Sequence, residues 1–170
     1  MKVDLYWVFK GFDNGLVGLQ HVLAKGGDYA RAQGVSEAEM LEWRLAPDMN
    51  PLRYQISTAI NVYWRWTSRI LQIDQPAGPG DEATVADLNA AIIAARAHFA
   101  TLTPEQFIGL DEQPRTLQIR GQDRTETAER LVQGSAITNF YFHLTMVYAL
   151  FRQHGAPLGK ADFLVGSFTF

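Results

Sequence analysis

Apolar residues that recur every three or four positions over long stretches are the feature that most constrains how this chain can fold. The first such stripe predicts a long helix, and its members are Leu5, Val8, Phe9, Phe12, Leu16, Leu19 and Leu23. Residues 26–27, both glycine, and then Gly34 are candidate ends of this helix. Ser36 and Glu39 have the spacing of a capping box, which predicts a short helix directly afterwards.

A second long helix is predicted to run to Leu71, with Asn50 as its cap and Pro51 in its first turn, where a missing N–H does no harm. Its stripe consists of Leu52, Ile56, Ala59, Tyr63 and Ile70. Trp64 and Trp66 widen that stripe, so this helix should be contacted on more than one side. Because both indoles cannot easily point into one bundle, one of them is a candidate face for a homodimer.

The second half of the chain predicts two more long helices with a hairpin between them. Thr84 and Asp87 should cap a third helix, and residues 103–106 should form a short one. Residues 116–119 alternate with period two and residues 121–123 can turn, which indicates a small β-hairpin. The last helix should be the most buried, with an apolar stripe of Ile137, Phe140, Tyr141, Leu144, Val147, Tyr148 and Phe151.

Four amphipathic helices can cover their apolar stripes only by packing around a common core. The sequence therefore predicts an all-α four-helix bundle with short extra helices and one small β-hairpin before the last long helix. No internal repeat or composition shift divides the chain, so residues 1–170 are expected to form a single domain.

Composition and charge limit the cellular compartments and the classes of partner that are expected for this chain. Of the 170 residues, 47% are hydrophobic and 19% are charged, as in a globular protein. The net charge of −3, with scattered Lys and Arg, argues against nucleic acid as a partner. The chain has no cysteine, no signal-peptide pattern at its start and no apolar run of about 20 residues. We therefore expect a soluble, cytoplasmic protein that does not insert into a membrane.

Four histidines are the natural candidates for a metal or acid–base site: His21, His98, His143 and His154. His21 and His98 fall outside the apolar stripes and are predicted to be solvated. His154 lies at a helix end, where the helix dipole favours a cation. His143 lies at the edge of the inward stripe and should be partly buried, so it needs a polar partner, either Asn139 on the same face or Gln55 of the second helix. A core histidine satisfied by hydrogen bonds is favoured over a metal ligand, because one histidine cannot hold a metal.

Two charged segments are further ligand-binding candidates. Asp48 is predicted to cap the second helix or, alternatively, to point into the mouth of the bundle. Lys160 and Asp162 are close enough in sequence to pair with each other, or with Asp48 and Arg44. Such pairs would form either an ion-pair lock that holds the apolar tail, with residues 163–164 buried beside it, or a rim of charges that orients a ligand.

Three segments carry a resemblance to a known family. They are residues 44–49 (Arg-Leu-Ala-Pro-Asp-Met), residues 139–143 (Asn-Phe-Tyr-Phe-His) and residues 157–164 (Pro-Leu-Gly-Lys-Ala-Asp-Phe-Leu). In this order and spacing the chain resembles, over nearly its whole length, an uncharacterised bacterial family within the DinB-like superfamily of helical bundles. That family is a domain of unknown function, so the resemblance implies a fold more than an activity.

The wider superfamily includes YfiT-like metal-dependent hydrolases and thiol transferases. In it, one His of the second helix and a His-x-x-x-His pair of the last helix typically hold a divalent metal. The resemblance places Asn139 and His143 at the paired positions and Gln55 at the position of the helix-two His. Amides are poor ligands for zinc or nickel, so the resemblance implies a degenerate metal site in this chain.

Three hypotheses follow. In the first, the bundle binds a small molecule at the degenerate site, which Gln55, Asn139 and His143 would line. In the second, it is a divalent-metal-dependent hydrolase or transferase in which Asp48 or a water completes a weak zinc or nickel site with His143. In the third, the surplus of aromatic residues serves a structural homodimer.

Overall fold

The long helices lie where the apolar stripes predicted them. The computed structural model describes residues 3–119 and 121–168. In chain order its helices are α1 (Leu5–Ala32), α2 (Glu37–Leu41), α3 (Leu52–Leu71), α4 (Val85–Phe99), α5 (Ala128–Leu131), α6 (Ile137–Gln153) and α7 (Lys160–Phe163). Strands β1 (Pro114–Ile119) and β2 (Gln122–Thr127) precede α5. Two 3₁₀ turns span Pro104–Phe107 and Val165–Phe168, and a π-helical segment, Val132–Ala136, joins α5 to α6.

The four long helices, α1, α3, α4 and α6, enclose one apolar core. α3 packs against α6 and α4, and α1 packs against α4 and α6. Fully buried aromatic side chains fill the centre, namely Phe9, Phe12, Tyr63, Phe140 and Phe151. The predicted all-α bundle is therefore confirmed. Within the described ranges, no helix has both the length and the apolar character that crossing a bilayer demands.

α3, and not the last helix, is the most enclosed element, so that prediction was wrong. Trp64 and Trp66 of α3 are only 9% and 2% exposed, whereas Phe142 of α6 is 51% exposed. The reason is that α3 has neighbours on several sides, including α1, α4 and α6. Burial of both indoles also removes the argument that one of them forms a dimer face.

The first helix continues through the glycine pair at 26–27 and ends only before Gly34. Gly26 lies directly against the Phe151 ring, and a Cβ there would overlap that ring. The glycine is therefore a packing requirement between α1 and α6. Gly34, with φ of +78°, is the position where the chain turns out of the helix, as expected for a residue without a side chain.

The start of α3 differs from the sequence prediction. Pro51 occupies the cap position itself, the helix begins at Leu52, and no side chain caps it. Neither Asn50 nor Asp48 acts as a cap, and Asp48 is exposed. The backbone carbonyl of Asn50 has a different role, because it accepts a hydrogen bond from the side chain of Gln55.

The cap of α4 and the hairpin are both confirmed. Thr84 and Asp87 form the reciprocal capping box, and β1 pairs antiparallel with β2. The hairpin also closes the end of α3. Arg115 donates from Nε to the Arg69 carbonyl and from Nη2 to the Ile70 carbonyl, each at 3.0 Å, which satisfies groups that have no partner within the helix.

Candidate functional site

A histidine of α6 and a glutamine of α3 form a buried hydrogen bond at the position the sequence singled out. Nδ1 of His143 lies 2.7 Å from Oε1 of Gln55. The two residues are 9% and 3% exposed. Of the two candidate partners of His143, Asn139 and Gln55, the structure brings Gln55 to it.

The direction of this hydrogen bond follows from the second contact of Gln55. Its Nε2 lies 3.0 Å from the backbone oxygen of Asn50, and a carbonyl oxygen can only accept. The amide nitrogen of Gln55 must therefore face Asn50, which leaves Oε1, also an acceptor, facing His143. Nδ1 of His143 must then carry the hydrogen, and in the neutral imidazole the lone pair lies on Nε2.

Burial keeps the imidazole neutral. Desolvation lowers the pKa of His143, because the charged form loses more hydration than the neutral form. No described residue bonds to Nε2, and this atom is not among the fully buried polar atoms that lack a partner. His143 thus presents one oriented hydrogen-bond acceptor in a largely apolar setting.

Two exposed aromatic rings flank this imidazole. The Tyr54 ring centroid lies 6.1 Å away and that of Phe142 lies 5.2 Å away, both edge to face. Tyr54 is 40% exposed. Asn139, one helical turn before His143, is half-buried, and its side chain makes no hydrogen bond within the described part of the chain. An acceptor nitrogen, a free amide and two apolar ring edges are therefore available to a ligand.

A tight metal site does not fit these residues. One nitrogen of His143 is engaged with Gln55, so this residue could offer only one ligand atom to a metal. Gln55 and Asn139 could offer only neutral amides. Across residues 3–119 and 121–168, no three His, Cys, Asp or Glu side chains converge in a way that could hold a metal ion. Asp48 does not contribute, because among the described residues it makes no contact with His143 by hydrogen bond or ion pair.

The charged tail segment pairs with α1, not with the partners predicted for it. Asp162 accepts from His21 Nε2 at 2.8 Å and from Lys25 Nζ at 2.9 Å. It also accepts from the Gly159 backbone N–H, and that bond is the main cause, ahead of His21 and Lys25, of the lowered pKa of the Asp162 carboxyl. Lys160 is exposed and forms no ion pair with another described residue.

An ion-pair lock on the tail is thus present with different partners, and Asp48, Lys160 and Asp162 do not gather around His143. The tail residues at 163–164 are half-buried. His21 was predicted to be solvated, and this prediction was incomplete, because its Nε2 pairs with Asp162.

His98 was also predicted to be solvated, and the structure shows it half-buried against α3. Its Nδ1 lies 2.9 Å from the hydroxyl of Tyr63, a side chain with no exposed surface. The sequence contained a signal for this bond: a tyrosine within an apolar stripe brings a buried hydroxyl that needs a partner. His154 stacks on Trp43, with ring centroids 3.7 Å apart, at the end of α6.

Comparison with known proteins agrees with this architecture. The family model described as Domain of unknown function (DUF1993) matches residues 7–164. A solved structure of a DinB family member protein from Shewanella denitrificans is similar to this chain, with a TM-score of 0.86 and 26% sequence identity. The match covers 94% of this chain and 91% of that one. No curated protein matches the sequence. The DinB-like fold expected from the three sequence segments is confirmed.

Proposed function

This chain belongs to the family described as Domain of unknown function (DUF1993), and we propose that it binds a small molecule at the degenerate metal-site position, through Nε2 of His143. The observation that carries the proposal is the 2.7 Å bond from His143 to Gln55, because it fixes which imidazole nitrogen is free. A ligand N–H or O–H would donate to that nitrogen. The Asn139 amide, one turn earlier, would supply a second polar contact.

The surroundings of His143 indicate the class of ligand. The rings of Tyr54 and Phe142 offer apolar edges, and both are substantially exposed. Exposed aromatic rings beside one oriented polar group are typical of ligand sites, where the apolar surface contributes affinity and the polar group fixes orientation. We therefore expect a small, flat or apolar molecule with one hydrogen-bond donor.

NMR of the His143 imidazole tests the proposal, with phenol, indole and benzamide as probes, since each joins one donor group to an apolar ring. At pH 7, at least one probe should shift the His143 Nε2 resonance. Gln55→Glu should weaken that binding about 10-fold or more, because a carboxylate beside Nδ1 favours the charged imidazole, which has no free lone pair. Gln153→Glu adds the same charge at an exposed position of α6 and should have no effect.

The proposal is overturned if no probe shifts the Nε2 resonance, or if the two glutamate variants bind alike. His143→Phe keeps a flat ring without nitrogens and must abolish binding, observed here through the proton resonances of the probe, which covers the case in which Gln55→Glu does not fold. Stoichiometric zinc or nickel that survives dialysis would also overturn it, in favour of a metal-dependent enzyme.

A further inference from the structure

A polar cleft of about 390 Å³ opens on a different face of α3 from Gln55. Arg53 and Ser57 line it, and each is two positions from Gln55, which corresponds to about 200° around the helix. Its other walls come from the end of α2, the chain just before α3 and residues 80–82 of the loop before α4. Neither His143 nor Gln55 lines this cleft.

Two hydrogen-bonding atoms on the inner wall of the cleft have no partner. Ser57 is 7% exposed, and its Oγ is fully buried without a hydrogen bond to any described residue. Nε of Arg53 is in the same situation. The two residues are four positions apart, so they lie on the same face of α3. Buried donors without partners cost free energy, and an acceptor oxygen would satisfy both.

Contacts of Nη1 hold the Arg53 guanidinium in place. Nη1 donates to the Asp81 carbonyl at 2.7 Å and pairs with the Glu42 carboxylate at 3.2 Å. These contacts engage Nη1 and leave Nε and Nη2, which lie along one edge of the guanidinium, as the remaining donors. Because an acceptor that meets Arg53 need not reorganise this side chain, the wall is prepared for a carboxylate.

The rim of the cleft has the opposite charge. Asp81 and Glu82 are exposed and form no ion pair with another described residue. Glu42 is already balanced by Arg53 and, at 3.7 Å, by Arg44. An anion alone would therefore meet two uncompensated carboxylates at the rim, and a cation alone would leave both inner donors without an acceptor.

We propose that this cleft binds a small zwitterion that carries both a carboxylate and an ammonium group, as amino acids do. The carboxylate accepts from Arg53 Nε and Ser57 Oγ, and the ammonium lies at Asp81 and Glu82. Since both inner donors are buried, binding includes a rearrangement of the cleft wall that brings them into contact with the carboxylate. The polar contacts of this cleft use other atoms than the His143 site, although Tyr54 lies beside both, so Ser57→Ala and His143→Phe test the two sites separately.

Isothermal titration calorimetry of the full chain tests this with glycine, β-alanine and γ-aminobutyrate, which hold the two charges at increasing separation. Acetate and methylammonium serve as single-charge controls. We expect at least one zwitterion to bind about 10-fold or more tightly than either control. Ser57→Ala and Arg53→Lys should each weaken it about 10-fold. Arg65→Lys, the same change three turns along α3, should leave the affinity unchanged.

Ser57→Ala separates binding from structure. Its hydroxyl has no partner among the described residues, so its removal should leave the urea midpoint of the free protein unchanged or raise it, while zwitterion binding weakens about 10-fold. Three outcomes overturn the proposal: no zwitterion binds, acetate binds as tightly as the best zwitterion, or Ser57→Ala and Arg65→Lys have equal effects on affinity.

Discussion

Two histidines contact α3 through the same ring nitrogen, yet they present opposite chemistry. His143 of α6 directs Nδ1 to Gln55, and His98 of α4 directs Nδ1 to Tyr63. In the first pair the partner can only accept, because its amide nitrogen already faces Asn50. His143 must therefore carry its hydrogen on Nδ1 and leave a lone pair on Nε2.

The Tyr63 pair runs in the other direction. Burial raises the pKa of Tyr63, so the phenol keeps its proton, and its hydroxyl lies 2.9 Å from Nδ1 of His98, while the Thr67 hydroxyl donates to the Tyr63 carbonyl. We infer that the hydroxyl donates to Nδ1 of His98, which places the imidazole hydrogen on Nε2. One histidine offers an acceptor and the other a donor, and the difference lies entirely in the α3 residue opposite. The fold position of a histidine does not determine its chemistry until its partner is known.

The largest loss of stability is expected from removing the side chain that accepts the hydrogen bond of His143. Gln55→Leu has similar volume but leaves the His143 Nδ1–H and the Asn50 carbonyl without partners. The buried Nδ1–H costs ~1–3 kcal/mol when it has no partner, and Asn50 is an exposed residue, so we expect a loss of about 2 kcal/mol in the free energy of unfolding, measured in urea with an unchanged m-value. Gln153→Leu, at an exposed site, should change it by less than ~0.5 kcal/mol. Equal losses in both variants would contradict the importance of the buried bond.

A smaller loss of stability is expected from removing the Tyr63 hydroxyl, which pairs with His98. Tyr63→Phe keeps the ring packing and leaves only the half-buried His98 Nδ1 unsatisfied, so the expected loss is ~1–2 kcal/mol. In Tyr148→Phe the lost hydroxyl has no hydrogen bond among the described residues, and this control should be near neutral. NMR of the His98 imidazole gives a second readout. If the hydrogen already resides on Nδ1 in the unmodified protein, the assigned direction of the Tyr63 bond is wrong.

The apolar framework was predictable because it depends on local spacing. The stripes of α1, α3 and α6, the Thr84 cap of α4 and the hairpin all follow from residues close together in sequence. One exception is the continuation of α1 through Gly26, and its cause lies in a different part of the chain. A glycine is needed at position 26 inside α1 because the Phe151 ring of another helix leaves no room for a Cβ.

The polar contacts were less predictable, because each one joins residues far apart in the chain. The sequence placed Gln55 among the partners of His143, but it did not pair His98 with Tyr63 or Asp162 with His21. The Arg53 and Ser57 cleft was missed, since its walls come from three separate segments. Periodicity identifies the face on which a side chain lies, whereas its partner depends on how the helices are rotated against each other.

The smallest effect on the free energy of unfolding is a pH dependence that the two histidines share. Desolvation lowers the pKa of both His98 and His143, so below about pH 6.5 the unfolded chain takes up protons before the native protein does. The free energy of unfolding should therefore fall as the pH decreases from 7.5 to 5.5. Asp162 does not interfere, because its lowered pKa places its contribution to this dependence below that window. Urea titrations at both pH values should show a smaller decrease in His143→Gln and in His98→Gln. A decrease that neither variant reduces would mean that the two imidazoles take up protons alike in the native and the unfolded chain, so that their burial has no effect on the pH dependence.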